Sequence, residues 1–240
     1  MGNWPIEALS AETLAFMYIE VWPPDVKYHD LAHIVLEAIR LSYGKPVVIA
    51  LYLPADRPEN ILLANALILA CGGMRIELGE QARLLADPYF PRHQQIPPNL
   101  FSAMRKFYDF AIRNGERLRC YSLSSSEREQ WADGELNPDF VRVCDSIWSV
   151  VRHHPKALAI HFVNFTGLNM ALQWDEAHPA PTACQNVLVR LQTSRRPDRV
   201  LWDCPERSEG LQVLDFEFLN GELHFTLPQL NNMGLISIHE

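Results

Sequence analysis

Phe16-Met17-Tyr18-Ile19-Glu20-Val21-Trp22 is an apolar run broken only by Glu20 and stopped by Pro23-Pro24. Aromatic and β-branched residues favour a strand, and a double proline cannot continue one. Side chains alternate along a strand, so Tyr18, Glu20 and Trp22 are expected on one face. Helical periodicity follows at once: Leu31, Ile34, Val35, Ala38 and Ile39 form one stripe, and Gly44 is placed to end it. A carboxylate at the C-terminal end of a strand that feeds a helix is where α/β barrels keep their chemistry. An aromatic two residues on, facing the same way, suits a sugar ring. A half-exposed strand-end carboxylate in a salt bridge satisfies the same pattern.

The composition narrows the classes. Among 240 residues, 48% are hydrophobic and 21% charged, which is ordinary for a globular chain with a sizeable core. A net charge of −8 argues against nucleic acid or an anionic membrane as partner, because either wants a basic face. Neutral polymers, polysaccharides among them, stay open. The five cysteines are dispersed with no CxxC, a pattern of reduced or incidental thiols. Met1-Gly2-Asn3-Trp4-Pro5 has neither a basic region nor an apolar core, so no signal peptide is visible. The longest apolar stretch, Ile61 to Cys71, is too short to span a membrane and contains Asn65. The sequence reads as soluble.

Along its length the chain changes character once. Pro46 introduces the apolar run Val47 to Leu53, read as a strand buried on both faces and stopped by Pro54. Asn60 is placed to cap an all-round apolar helix from Ile61 to Ala70. Met74-Arg75-Ile76-Glu77-Leu78 follows as a third strand, and Asn99 is placed to cap another helix. Strand–helix repetition of this kind implies parallel strands near 15–22, 47–53 and 74–78. After Ser124-Ser125-Ser126 the helical period disappears. Alternating segments flank Asn220-Gly221, a strong hairpin signal, since that pair accepts the positive φ of a tight turn. The expected fold class is α/β plus all-β: a strand–helix part over residues 1–138 and an antiparallel β-sandwich over 139–240.

Several motifs fail on inspection. His153 and His154 are adjacent, so in a strand they point to opposite faces and cannot share a metal ion. No HExxH, GxGxxG, phosphate loop or GxSxG is present. Asn164-Phe165-Thr166 is a formal glycosylation sequon at an expected strand end, and His161 and Asn164 read as satisfied structural residues. No metal and no cofactor is expected.

Five segments together resemble glycoside hydrolase family 66, the dextranases and cycloisomaltooligosaccharide glucanotransferases. They are Tyr18 to Trp22, Gly72 to Glu80, Arg83 to Pro91, Phe107 to Phe110 and Ile160 to Phe165. The stretch from Gly72 to Pro91 is the most specific. The resemblance implies the last three strand–helix units of a (β/α)₈ (TIM) barrel, followed by an antiparallel β domain. It also implies action on α-1,6-linked glucan, polymer or oligosaccharide, with retention of configuration, and it puts Glu20 at the general acid/base position. The family is typically secreted, which leaves the location of this chain open.

A whole barrel takes roughly 250 residues, so the resemblance implies an incomplete barrel. A retaining mechanism needs a second carboxyl group, and the family's aspartate nucleophile lies on an earlier strand. Tyr18, Trp22, Tyr52 and Glu77 are the expected substrate-binding residues. For Trp22 and Tyr52 the alternative is plain barrel core; for Glu77 it is an ion pair with a neighbour. Arg83 and Asp87 either shape the loop above the site or pair with each other. The competing readings of the chain are a non-catalytic carbohydrate-binding remnant and a gene fragment that does not fold stably. Hydrolase and cyclising transferase are not separable from these residues.

Overall fold

The computed structural model describes residues 14–22, 27–42, 44–89, 92–119, 122–123, 141–142, 146–169 and 172–239. Contacts divide the chain into two compact units, one within Met1–Arg105 and Met170–Pro179, the other within Lys106–Asn169 and Ala180–Glu240. The expected boundary at 138/139 lies outside the described residues.

In the first unit, strands β1 (Met17–Val21), β2 (Val47–Leu51) and β3 (Met74–Ile76) alternate with helices α1 (Tyr28–Leu41) and α2 (Pro58–Ala70). The sheet runs β1-β2-β3 and is parallel throughout, with Glu20 beside Ala50 and Ala50 beside Ile76. This is the order and direction that the strand–helix repeat predicts. Met17, Ile19 and Val21 are buried while Tyr18 and Glu20 are partly open, so the alternation expected from the sequence is present. α1 packs on β2 and α2, and α2 packs on β3. Nine of the thirteen α2 residues are buried, seven of them apolar, as its mostly apolar composition requires.

Two capping expectations are corrected. α2 starts at Pro58 with Arg57 as its N-cap, so Asn60 sits inside the helix. Proline suits a first helical turn because its missing N–H has no intrahelical partner there. Freed from capping, the Asn60 amide donates to the carbonyls of Trp174 at 2.8 Å and Glu176 at 2.7 Å. It thereby anchors the returning segment 172–179, in which Trp174 is buried and His178 Nε2 meets the Tyr28 hydroxyl at 2.7 Å. The later helix, α3 (Pro98–Arg113), likewise opens on proline, one residue before Asn99. Between them, β4 (Arg83–Leu84) and β5 (Gln94–Gln95) make a short antiparallel pair.

The second unit holds α4 (Gly115–Arg119) and the strands β6 (Ser122–Leu123), β7 (Val141–Arg142), β8 (Ile147–His154), β9 (Ala157–Asn164), β10 (Cys184–Gln192), β11 (Arg199–Asp203), β12 (Gln212–Leu214), β13 (Phe216–Leu219), β14 (Glu222–Leu230) and β15 (Met233–His239). They form a six-stranded sheet, β12-β11-β15-β9-β8-β6, and a four-stranded sheet, β13-β14-β10-β7. One apolar cluster takes Ile160, Phe162, Trp202 and Ile236 from the first sheet and Val189, Leu191, Phe225 and Leu227 from the second. The expected hairpin is present: Asn220 (φ 53°) and Gly221 (φ 83°) turn the chain between β13 and β14. Gly234 lies under the Trp202 ring, where a Cβ would fall 1.9 Å from a ring carbon.

Several buried polar side chains here have hydrogen-bond partners. The Asn164 amide donates to the carbonyls of Thr182, Leu230 and Asn231 at 2.9, 3.2 and 2.7 Å. Asp203 accepts from Asn114 Nδ2 at 2.7 Å and pairs with Arg113 at 3.3 Å. His161 Nε2 meets the Arg117 carbonyl at 3.3 Å. Asn164 and His161 therefore do structural work, and the sequon asparagine is fully buried.

Candidate active site

Glu20 is the penultimate residue of β1, on the face that α1 and α2 do not bury. Three donors converge on it. The Tyr18 hydroxyl donates to Oε1 at 3.0 Å, the Tyr52 hydroxyl to the same oxygen at 3.1 Å, and Trp22 Nε1 to Oε2 at 3.3 Å. Strand geometry explains the cluster. Tyr18 and Trp22 flank Glu20 at i−2 and i+2, and the parallel register of β1 with β2 sets Tyr52 level with Trp22. The Trp22 and Tyr52 rings lie 4.9 Å apart, tilted by 39°. Trp22 is 47% exposed, so this aromatic pair presents a surface rather than filling a core.

The electrostatics follow from the donors. Burial by itself raises the Glu20 pKa, but the hydrogen bonds from Tyr18, Tyr52 and Trp22 outweigh it and leave the group below the usual glutamate range. Burial, with the carboxylate adding to it, pushes both tyrosine hydroxyls up, so they remain proton donors at neutral pH. As it stands, the cluster is an ionised carboxylate beneath an aromatic ledge.

The structure brings Tyr18, Trp22 and Tyr52 to Glu20 and does not bring Glu77. The register pairs Ala50 with Ile76, so Met74, Ile76 and Leu78 share the Glu20 face while Arg75 and Glu77 take the other. Glu77 is buried there, with Arg75 Nη1 at 2.9 Å and the Asn65 amide of α2 at 3.0 and 3.1 Å from its two oxygens. Arg75 also donates to the Leu51 carbonyl at 2.7 Å. Of the two roles the sequence left open for Glu77, this is the ion pair. Asp87 pairs with Arg92 at 3.4 Å, a partner that the sequence reading did not name. It also did not anticipate that apolar Met74, Ile76 and Leu78 would share the Glu20 face, although the strict alternation of Met74 to Leu78 carried that signal.

Among the described residues, no group of three or more His, Cys, Asp or Glu is placed to hold a metal ion, and no helix is long and apolar enough to cross a membrane.

This geometry accompanies a clear kinship. The chain belongs to glycosyl hydrolase family 66, which it matches over residues 1–236. The cycloisomaltooligosaccharide glucanotransferase of Niallia circulans is 25% identical over 215 residues, which are 82% of this chain and 22% of that protein. The chain thus spans about a fifth of the length of that curated relative. A Paenibacillus cycloisomaltooligosaccharide glucanotransferase, solved in complex with cycloisomaltoheptaose, shares the fold with a TM-score of 0.81 at 15% identity. That likeness covers 97% of this chain and 53% of the solved one.

Proposed function

We propose that this chain carries the general acid/base, Glu20, of a retaining enzyme that hydrolyses or transfers α-1,6-linked glucan, with the nucleophile supplied from outside these 240 residues. On this reading β1 to β3 are the last three strand–helix units of a (β/α)₈ barrel, and the two antiparallel sheets are a β-sandwich behind it in sequence. The observation that carries the reading is the position of Glu20: a carboxylate near the C-terminal end of a parallel strand, on the open face, beneath Trp22 and Tyr52. Family membership supports it.

In such a reaction Glu20 protonates the glycosidic oxygen as the nucleophile attacks. It then deprotonates the incoming water or sugar hydroxyl. Trp22 and Tyr52 offer ring faces to a glucosyl unit, and Tyr18 holds the carboxylate in line. Acid catalysis requires a protonated Glu20 at the start, so the proposal needs a raised pKa. A neighbouring ionised nucleophile supplies that shift, because two close carboxylates disfavour double ionisation.

The second reading, a non-catalytic carbohydrate-binding remnant, is favoured by the lowered Glu20 pKa. An ionised carboxylate accepts sugar hydroxyls but has no proton to give.

Kinetics separate the two. In a full-length family enzyme built to contain this chain, Glu20→Gln should cut turnover of dextran by about 10³-fold. An activated aryl glucoside, which leaves without protonation, should lose far less in its first step. Azide should restore the second step, since it needs no deprotonation, and yield a glucosyl azide of retained configuration. Equal loss on both substrates with no azide product would leave Glu20 a sugar-binding residue only.

A further inference from the structure

Strands β9 and β10 belong to the second unit, yet residues 172–179 of the connection between them are part of the first. Trp174 anchors this segment at 1% exposure, and the chain turns there, with the Glu176 amide bonded to the Gln173 carbonyl at 3.1 Å. From the turn it reaches the starts of two helices. At α1, Gln173 bridges the N-cap Lys27, and the Tyr28 amide donates to the Leu172 carbonyl at 3.4 Å. The Tyr28 and His178 rings meet edge-on, with the hydroxyl 2.7 Å from Nε2. His178 Nδ1 lies 2.8 Å from the Pro179 carbonyl, which can only accept. In the neutral ring Nδ1 therefore carries the hydrogen, and Nε2 accepts from Tyr28. At α2, the N-cap Arg57 donates to the Asp175 carbonyl. Both hydrogens of the Asn60 amide go to the carbonyls of Trp174 and Glu176.

These two helix starts end the loops that carry the aromatic pair. Lys27 stands five residues beyond Trp22, and Arg57 five beyond Tyr52. Sheet pairing does not hold either ring, because the register of β1 with β2 closes at Val21 and Leu51, one residue short of both. Two of the four residues between Trp22 and Lys27 are proline, which leaves few free torsions to absorb a shift of the helix start. Yet the rings stay 4.9 Å apart, and both reach the Glu20 carboxylate.

We infer that residues 172–179 clamp the starts of α1 and α2 together and thereby hold Trp22 and Tyr52 over Glu20, which makes Asn60 and His178 positioning residues of the site. That the held site is catalytic rests on the function proposed above; the clamp does not. A displacement of ~1 Å in such a site can cost about 10²-fold in rate.

Carboxyl- and indole-resolved NMR of the whole chain tests the clamp. His178→Phe keeps a ring and removes the acceptor; Asn60→Asp keeps the shape and removes both donors. Each should displace the Trp22 indole signal and move the Glu20 titration upward by about half a pH unit, as the Trp22 bond that holds it down loosens. His178→Gln, which can still accept from Tyr28, should stay close to the parent. His178 is only half-buried, so its variants decide the matter if Asn60→Asp does not fold. A lowered thermal midpoint with the Trp22 and Glu20 signals unmoved would make the segment a brace for the fold alone and overturn the inference. Moved signals, beside undiminished dextran turnover by Glu20→Gln in the full-length enzyme, would support the clamp and count against the acid/base reading.

Discussion

The two units solve the problem of an apolar sheet face differently. In the second, two antiparallel sheets bury their inner faces in one cluster, so that Ile160, Trp202, Phe225 and Leu227 are closed to solvent. In the first, α1 and α2 cover one face of the parallel sheet, while on the other Met74, Ile76 and Leu78 stand 39%, 41% and 44% exposed. Among the described residues, the face that carries Glu20 is the one these helices do not cover. Stability and the proposed chemistry are therefore drawn from opposite sides of β1 to β3, and substitutions on the two sides should have opposite consequences.

The largest effect is expected from the covered side. Arg75→Met strands the buried Glu77 carboxylate and should destabilise the first unit by about 4 kcal/mol in urea unfolding. Adding Glu77→Leu should recover part of it, because the double variant no longer buries an unpaired charge. A double variant no better than the single one would mean that Glu77 is needed for more than pairing. Gly234→Ala should come next. Its methyl group collides with the Trp202 ring, and the second unit should lose about 3 kcal/mol, seen as a lowered thermal midpoint.

A pH effect in the second unit is smaller. Burial first, then nearby Arg152, lowers the His161 pKa to about 3. The unfolded imidazole titrates near ~6.5, so the unfolded state takes up the proton first as pH falls. The stability that His161 contributes is present above ~6.5 and is lost progressively towards pH 3, about 2 kcal/mol of it by pH 5. His161→Leu should flatten that slope, and an unchanged slope would point to another titrating group.

The smallest stability change belongs to the open face. Glu20→Gln should shift unfolding by under ~0.5 kcal/mol. The folded pKa of Glu20 is lowered, so its small contribution is present above the unfolded value and fades as pH falls through the folded one. Tyr52→Phe should move the Glu20 titration upward in a carboxyl-resolved NMR experiment. A large loss of stability in Glu20→Gln would erase the contrast between the two faces.

Much of this was legible in the order of residues. The run ending at Trp22 announces its strand, and its alternation puts Tyr18 and Trp22 beside Glu20. Asn220-Gly221 announces its turn. Asn60 and Glu77 take places that local propensity does not give. Asn60 is shaped like a helix cap, yet its amide bonds carbonyls more than a hundred residues away, which no local pattern encodes. Met74 to Leu78 offers a carboxylate near a strand end, but its phase sets Glu77 on the face opposite Glu20. Two clues were present: Arg75 shares its side of the strand, and Asn65 is an amide in the apolar middle of α2 and meets it. Long-range pairing decided the first case, and strand phase the second.

The three donors around Glu20 differ in one respect that matters when a hydrogen arrives. A hydroxyl can rotate and become an acceptor; an indole N–H cannot. The two tyrosines share Oε1, and the indole holds Oε2. An incoming hydrogen on Oε2 would face the indole N–H head-on, whereas on Oε1 it meets an oxygen able to reverse its role. The carboxyl group is thus handed. For the acid/base role proposed for Glu20, the labile hydrogen belongs on the tyrosine side, and Trp22 keeps the opposite oxygen as an acceptor.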